Sequence, residues 1–256
     1  MIYGLYLSAT GVMNNSYRQD VIANNLANAQ TTGFKRDLTE FRERATADVE
    51  QLDKSQWSNP LYDNLGGGNY AMPTSIDCSN GATEATGNNL DVSIGGSGYF
   101  SVMGTDGNQR LTRNGQFAID NTGALVMANQ AGVRVLDQGG KPIMLDGTQR
   151  AQTYISPDGT VTQNNQAVGK IGVFNVADSS KLRKDGATMF DGIDPSDLTV
   201  SNSPLKSESI ENANVDPATE MAQLMESQRE LEANANMIRT QDQTLDKLVN
   251  SVGKVS

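Results

Sequence analysis

The sequence predicts a mainly β central module, antiparallel and sandwich-like or an irregular barrel, flanked by N- and C-terminal α-helices that pair as a coiled coil. Three observations carry this. Residues 1–28 show a helical apolar period, residues 89–205 hold short β-prone segments separated by Gly-bearing turns, and one heptad register runs unbroken from Met221 to Val252.

The first element places apolar or small residues at Ile2, Leu5, Ala9, Val12, Ser16, Ala23 and Leu26, with Gln19 filling the one polar gap. The steps alternate three and four, which is a helical stripe with heptad character. The same stretch carries Asn14, Asn15, Asn24, Asn25 and Asn28. Asn competes for backbone hydrogen bonds, so this helix is weak alone and draws its stability from packing. Gly33, after Thr31 and Thr32, is a stop signal. Residues 1–34 thus form an assembly helix and its exit.

Residues 35–88 read as a loop-rich connection, with Gly66-Gly67-Gly68 and Ser79-Asn80-Gly81, and Trp57 as a packing residue. The β module follows at 89–205. Strands are expected at 90–94, 99–103, 110–113, 116–120, 125–128, 133–136, 143–145, 153–156, 161–163 and 169–176. Asp106-Gly107, Asn114-Gly115 and Asp158-Gly159 supply the positive φ values of tight hairpins. Residues 206–256 hold the last element. Asp216-Pro217 suits an N-cap followed by proline at the first helical position. Leu224, Leu231, Ile238, Leu245 and Val252 fill one heptad column. Met221, Gln228, Ala235, Asp242 and Val249 fill the next. Polar residues in a seam specify register at a cost in stability. This stripe is too long for a 28-residue partner to cover.

Composition removes whole function classes. There is no histidine, which excludes Ser-His-Asp and Cys-His catalysis and His-based metal sites. A single cysteine, Cys78, excludes an internal disulfide and Cys-rich metal sites. The net charge of −10 opposes nucleic-acid binding and docking on an anionic membrane. No apolar run reaches the length of a membrane span, and no basic-then-apolar signal opens the chain. Aspartates such as Asp120, Asp137 and Asp158 sit in turns, where the side chain caps the backbone rather than acting as a glycosidase acid. No cofactor, metal or catalytic residue is expected.

With those elements in place, three motifs resemble one family. Ala23-Asn24-Asn25-Leu26-Ala27-Asn28-x-x-Thr31-x-Gly33-Phe34-Lys35-Arg36 resembles the N-terminal signature of bacterial flagellar axial proteins, the rod, hook and hook-associated proteins. Asn214-Val215-Asp216-Pro217-x-x-Glu220-Met221, then Gln228-Arg229-x-x-Glu232-Ala233-Asn234, resembles its C-terminal end. Between them, Thr86-Gly87-Asn88-x-Leu90-Asp91-Val92, Gly95-x-x-Gly98-Tyr99-Phe100 and Leu111-Thr112-Arg113-Asn114-Gly115-x-Phe117 resemble the family's β module. Length and module are most similar to the basal-body rod members. Leu231 stands where the family commonly has an aromatic, and residues 45–85, where proximal or distal rod identity is expected to be encoded, match poorly.

The resemblance implies a structural subunit with no catalysis. It implies type III export without a cleaved signal, then polymerisation of the terminal helices into a helical tube that crosses the periplasm and transmits torque. The implied partners are further copies of the chain, other rod and hook proteins, and the flagellar export apparatus, with no nucleic acid and no membrane insertion. The assembly seam is assigned to Leu5, Val12, Leu26, Met221, Leu224, Gln228, Leu231, Ile238, Asp242 and Leu245. Helices of this kind are expected to be partly disordered alone and ordered on assembly. The alternative is a secreted β-domain adhesin or type III accessory protein that closes into an oligomer of fixed size through a terminal coiled coil.

Overall fold

The computed structural model describes residues 2–44, 68–146, 153–192, 194 and 197–252. Residues 45–67, which include Trp57 and most of the stretch expected to encode rod class, lie outside the described residues. Two helices bound the chain: α1 (Ile2–Ala27) and α2 (Pro217–Val252). Four short strands follow α1: β1 (Asp37–Leu38), β2 (Phe41–Glu43), β3 (Asn69–Ala71) and β4 (Ser75–Ile76). The chain divides into two units, one within Met1–Leu26, Asp37–Ser75 and Pro217–Ser256, the other within Ala27–Arg36 and Ile76–Asp216.

The first unit is helical. Pro217 opens α2, where its missing N–H leaves no bond unmade. The 36 residues of α2 outrun the 26 of α1, a length of about 54 Å against 39 Å. β2 and β3 form an antiparallel hairpin, with Arg42 opposite Tyr70. Asn14 Nδ2 on α1 donates to the Asn69 carbonyl at 3.1 Å.

The second unit is the β module. Its strands, in chain order, are β5 (Thr83–Ala85), β6 (Val92–Ile94), β7 (Tyr99–Met103), β8 (Gln109–Thr112), β9 (Phe117–Ile119), β10 (Leu125–Met127) and β11 (Arg134–Val135). They continue as β12 (Thr153–Ile155), β13 (Thr160–Gln163), β14 (Gln166–Lys170), β15 (Val173–Val176) and β16 (Arg183–Asp185). The series closes with β17 (Met189–Asp191), β18 (Leu198–Val200), β19 (Leu205–Ser207) and β20 (Ser209–Glu211). The main sheet runs β16-β17-β8-β7-β11-β10-β9, and every pairing is antiparallel. β7 is its axis: β8 takes one edge, while β15 at Tyr99 and Phe100 and β11 at Val102 and Met103 share the other. Period-2 alternation sends Phe100 and Val102 into one apolar cluster, with Phe117, Leu125, Ile155 and Val161, and Tyr99 into another with Leu111 and Phe190. Both faces of β7 are therefore covered, which is why it reads as an almost continuous apolar run.

The main differences from the expected strands have local causes. The strand expected at 169–176 is two, β14 and β15. Between them Gly172 N–H leaves the strand line to donate to the Leu136 carbonyl, and a β-carbon at Gly172 would lie 2.6 Å from the Asp137 carbonyl oxygen. The strand expected at 143–145 is reduced to an isolated bridge between Ala124 and Met144. Strands β16 to β20 carry no strong alternation in sequence. They exist because β8, β15, β6 and β5 offer them ladder partners.

Candidate functional site

Two places gather the residues singled out by sequence, one in each unit. The first is the seam of α1 and α2, which run antiparallel. A β-carbon at Gly4 would lie 2.7 Å from Gln241 Nε2, and one at Gly11 would lie 2.8 Å from Asn234 Nδ2. Further along, Ser227 Oγ donates to the Asn15 carbonyl at 3.2 Å, and Arg18 faces Glu230 at 3.6 Å. Glycine at 4 and 11 lets the backbones approach where an amide must fit between them.

Leu5, Val12 and Leu26 on α1, and Leu224, Leu231, Ile238 and Leu245 on α2, are half-buried. Met221, Gln228 and Asp242 are exposed. The column covered beside the leucines lies one residue earlier, at Glu220, Ser227, Asn234 and Gln241. α1 shows the same rotation: Ser8 and Ile22 are buried where Ala9 and Ala23 were expected. Pairing leaves Tyr6, Leu7 and Met13 on α1, and Met221, Met225, Met237, Leu248 and Val249 on α2, facing outward. A groove of about 760 Å³ runs along α1 and the β2–β3 hairpin, lined by Tyr6, Thr10, Met13, Tyr17, Arg44 and Tyr70.

The second place draws the signature motifs of the β-rich unit together. Gly33 has φ of +71°, and a side chain there would overlap the Asn114 backbone nitrogen. Only glycine meets both conditions. Gly33 N–H donates to the Glu211 carbonyl at 2.8 Å, and Phe34 is buried under the Lys184 ammonium, 4.0 Å from its ring centroid. Lys35 Nζ donates to Glu211 Oε1 and to the Ser79 carbonyl, both at 2.6 Å. Arg113 Nη1 donates to Glu211 Oε2 at 3.0 Å, and its Nη2 to the Gly96 carbonyl at 2.9 Å. Gly81 N–H completes the carboxylate's partners at 3.0 Å. Next to it, Arg36 N–H donates to Asn214 Oδ1 at 2.7 Å, and Asn214 Nδ2 to the Asp77 carbonyl at 2.9 Å.

Electrostatics agree with a closed joint. All three ionic side chains, Lys35, Arg113 and Glu211, are about 3 % exposed or less. Burial pushes the Lys35 ammonium below its ordinary value, and the Glu211 hydrogen bond and charge oppose that shift. Burial raises the Asp77 carboxyl, but the Ser79 N–H and hydroxyl hold it below the usual carboxylate range, aided by Arg36.

Of the other signature residues, Val215 is buried, and Asn28 accepts a hydrogen bond from Thr31 Oγ1 at 3.3 Å. Asn25, in the helical unit, is buried and exchanges two 2.9 Å bonds with the Asp37 backbone. Glu220 is buried, whereas Asn24, Ala27, Arg229 and Glu232 are exposed. Sequence reasoning gave no role to Lys35, Arg113 or Glu211, nor to Gly4, Gly11, Ser227, Asn234 and Gln241. The available signals were a lysine straight after Gly-Phe, and glycines spaced seven apart in a helix. Asp120, Asp137 and Asp158 accept hydrogen bonds from turn backbone or side chains one to four residues on.

Known proteins show the same arrangement of segments. Residues 5–35 match the flagella basal body rod protein family, residues 93–163 the flagellar hook protein FlgE/F/G D1 domain, and residues 206–251 the flagellar basal body rod FlgEFG protein C-terminal family. The chain is 32% identical to the flagellar basal-body rod protein FlgG of Bacillus subtilis, covering 98% of this chain and 99% of that one. It is 31% identical to FlgF of Caulobacter vibrioides over 98% of both chains, and 28% identical to FlgG of Borreliella burgdorferi over 96% and 97%.

Proposed function

The chain belongs to the flagellar basal-body rod protein family, and on that premise we infer that it is a structural subunit of the rod, placed in the flagellar basal body. The observation that carries the mechanism is the incomplete cover of the helix pair. After α1 and α2 have packed, Met13, Met221, Met225, Met237 and Val249 remain at least half exposed. Apolar side chains along a paired helix are what a neighbouring subunit buries, and about 25 cal/mol is gained per Å² removed from water. Where such a contact is head-to-tail and does not close, copies add into a helical tube.

In this reading the half-buried leucines and Ile238 hold the subunit's own pair. Met221, Gln228 and Asp242 belong to contacts between subunits, together with the other exposed residues. The Glu211 joint braces the β-rich unit, and no chemistry is performed. Its neighbours are other axial proteins of the rod and hook, and the chain reaches them through the flagellar export apparatus. The test is mass by light scattering against concentration, using full-length protein. Mass that rises without limit is expected. A fixed mass over a hundredfold concentration range would overturn polymer growth and indicate a closed oligomer.

A further inference from the structure

The polar half of the α1–α2 seam is periodic. Glu220, Ser227, Asn234 and Gln241 are seven residues apart and form one covered column. Gly4 and Gly11, also seven apart, receive the Gln241 and Asn234 amides, and the Asn15 carbonyl receives Ser227. The aliphatic column beside it, Leu224, Leu231, Ile238 and Leu245, repeats nearly the same side chain at each step. That column fits almost equally well after a slip of one heptad, about 10.5 Å along the axis. The polar column fits less well, because each slip keeps only one amide in a glycine gap, Gln241 at Gly11 or Asn234 at Gly4. A slip one way presses Asn234 against Arg18. A slip the other way sets Ser227 opposite Gly11 and carries Gln241 past the start of α1. Gln241 Oε1 is buried with no hydrogen-bond partner among the described residues. Such an amide is poor glue but a strict spacer.

We propose that Gly4, Gly11, Ser227, Asn234 and Gln241 form a register ladder that selects one antiparallel alignment of α1 on α2 at the expense of the pair's strength. Polar residues at seam positions act in this sense in coiled coils. The ladder decides which apolar residues of α1 and α2 stand side by side on the outer surface. That consequence for assembly rests on the rod reading; the alignment within one chain does not.

The test is a spin-label distance in dilute full-length protein carrying Cys78→Ser, with labels at Met13→Cys and Val249→Cys, both exposed positions. In the observed alignment these sites are offset by about 25 Å along the axis. The unaltered ladder is expected to give one narrow distance. Asn234→Leu with Gln241→Leu is expected to raise the melting temperature of the helix pair and to add a second population, its axial offset changed by about 10 Å. Asn234→Ala with Gln241→Ala removes the amides without adding apolar surface and is expected to add the same second population. A single unchanged distance in both variants overturns the ladder, and so does loss of α2 helicity in both. Failure to polymerise would remove the rod reading and leave these distances as they are.

Discussion

Glu211 is shared by two buried cations, and removing it leaves both without a counter-charge. Removing Lys35 is milder, because Arg113 and the Gly81 N–H still serve the carboxylate. Breaking a buried ionic group from one side costs about 3–5 kcal/mol. Glu211→Gln is therefore expected to destabilise the β-rich unit by about that much, and Lys35→Met by clearly less, in urea melts followed by far-UV circular dichroism. Equal losses, or the reverse order, would show that the carboxylate is not the centre of the joint. Little of this was legible beforehand. Lys35, Arg113 and Glu211 lie far apart in sequence, and a buried charge is recognised only by the partner that folding brings to it. Gly33 is the contrast. Its place in the exit from the helix could be read directly, but α1 already ends at Ala27, so it is not the stop itself, and its contact with Asn114 could not be read.

At the scale of elements, the three-four stepping of α2 identifies Leu224, Leu231, Ile238 and Leu245, and these are half-buried. The second column is displaced by one residue. Met221, Gln228 and Asp242 face out, while Glu220, Ser227, Asn234 and Gln241 are covered. The reason is local: glycines at 4 and 11 make room for polar side chains that a hydrophobicity pattern rejects. Ile238→Leu is expected to be tolerated, since it conserves volume in a half-open seam. Ile238→Asp is expected to separate the helices and prevent polymer growth with the β-rich unit still folded, read as lost helical ellipticity, flat light scattering and an unchanged sheet signal. Normal polymerisation of the aspartate variant would remove Ile238 from the seam. In the β module, the Asp-Gly turns at Gly107 and Gly159 were readable one by one, both with positive φ. The hairpin expected at Asn114-Gly115 does not form: β8 pairs with β7 and β17, β9 pairs with β10, and Gly115 serves instead as a close approach to the Val92 carbonyl. Strands such as β16 and β17 were not readable, because they are defined by the edge they join.

For the whole molecule, stability is expected to be uneven. The sheet cluster around Phe100, Leu125 and Val161 is fully covered, whereas α2 has few residues as deeply buried as Glu220 and Ser227. Local opening follows such differences in cover. Hydrogen exchange on dilute protein is expected to be at least a hundredfold slower at β7 and β10 than along α2 beyond residue 231. Assembly is expected to slow exchange in α2 selectively. Equal protection in the dilute chain would mean that α2 is already covered. The sequence by itself determined the helix–β–helix order, the Asp-Gly turns, the aliphatic column of α2 and the lack of histidine and of a second cysteine. Each of these depends on neighbours within a few turns or strands, or on composition alone. Tertiary structure decided the convergence of the signatures on Glu211, the strands that borrow an edge, and the phase of the helix seam. Those depend on which distant surface presents a charge, a ladder or a glycine gap, and only the folded chain sets those surfaces against one another.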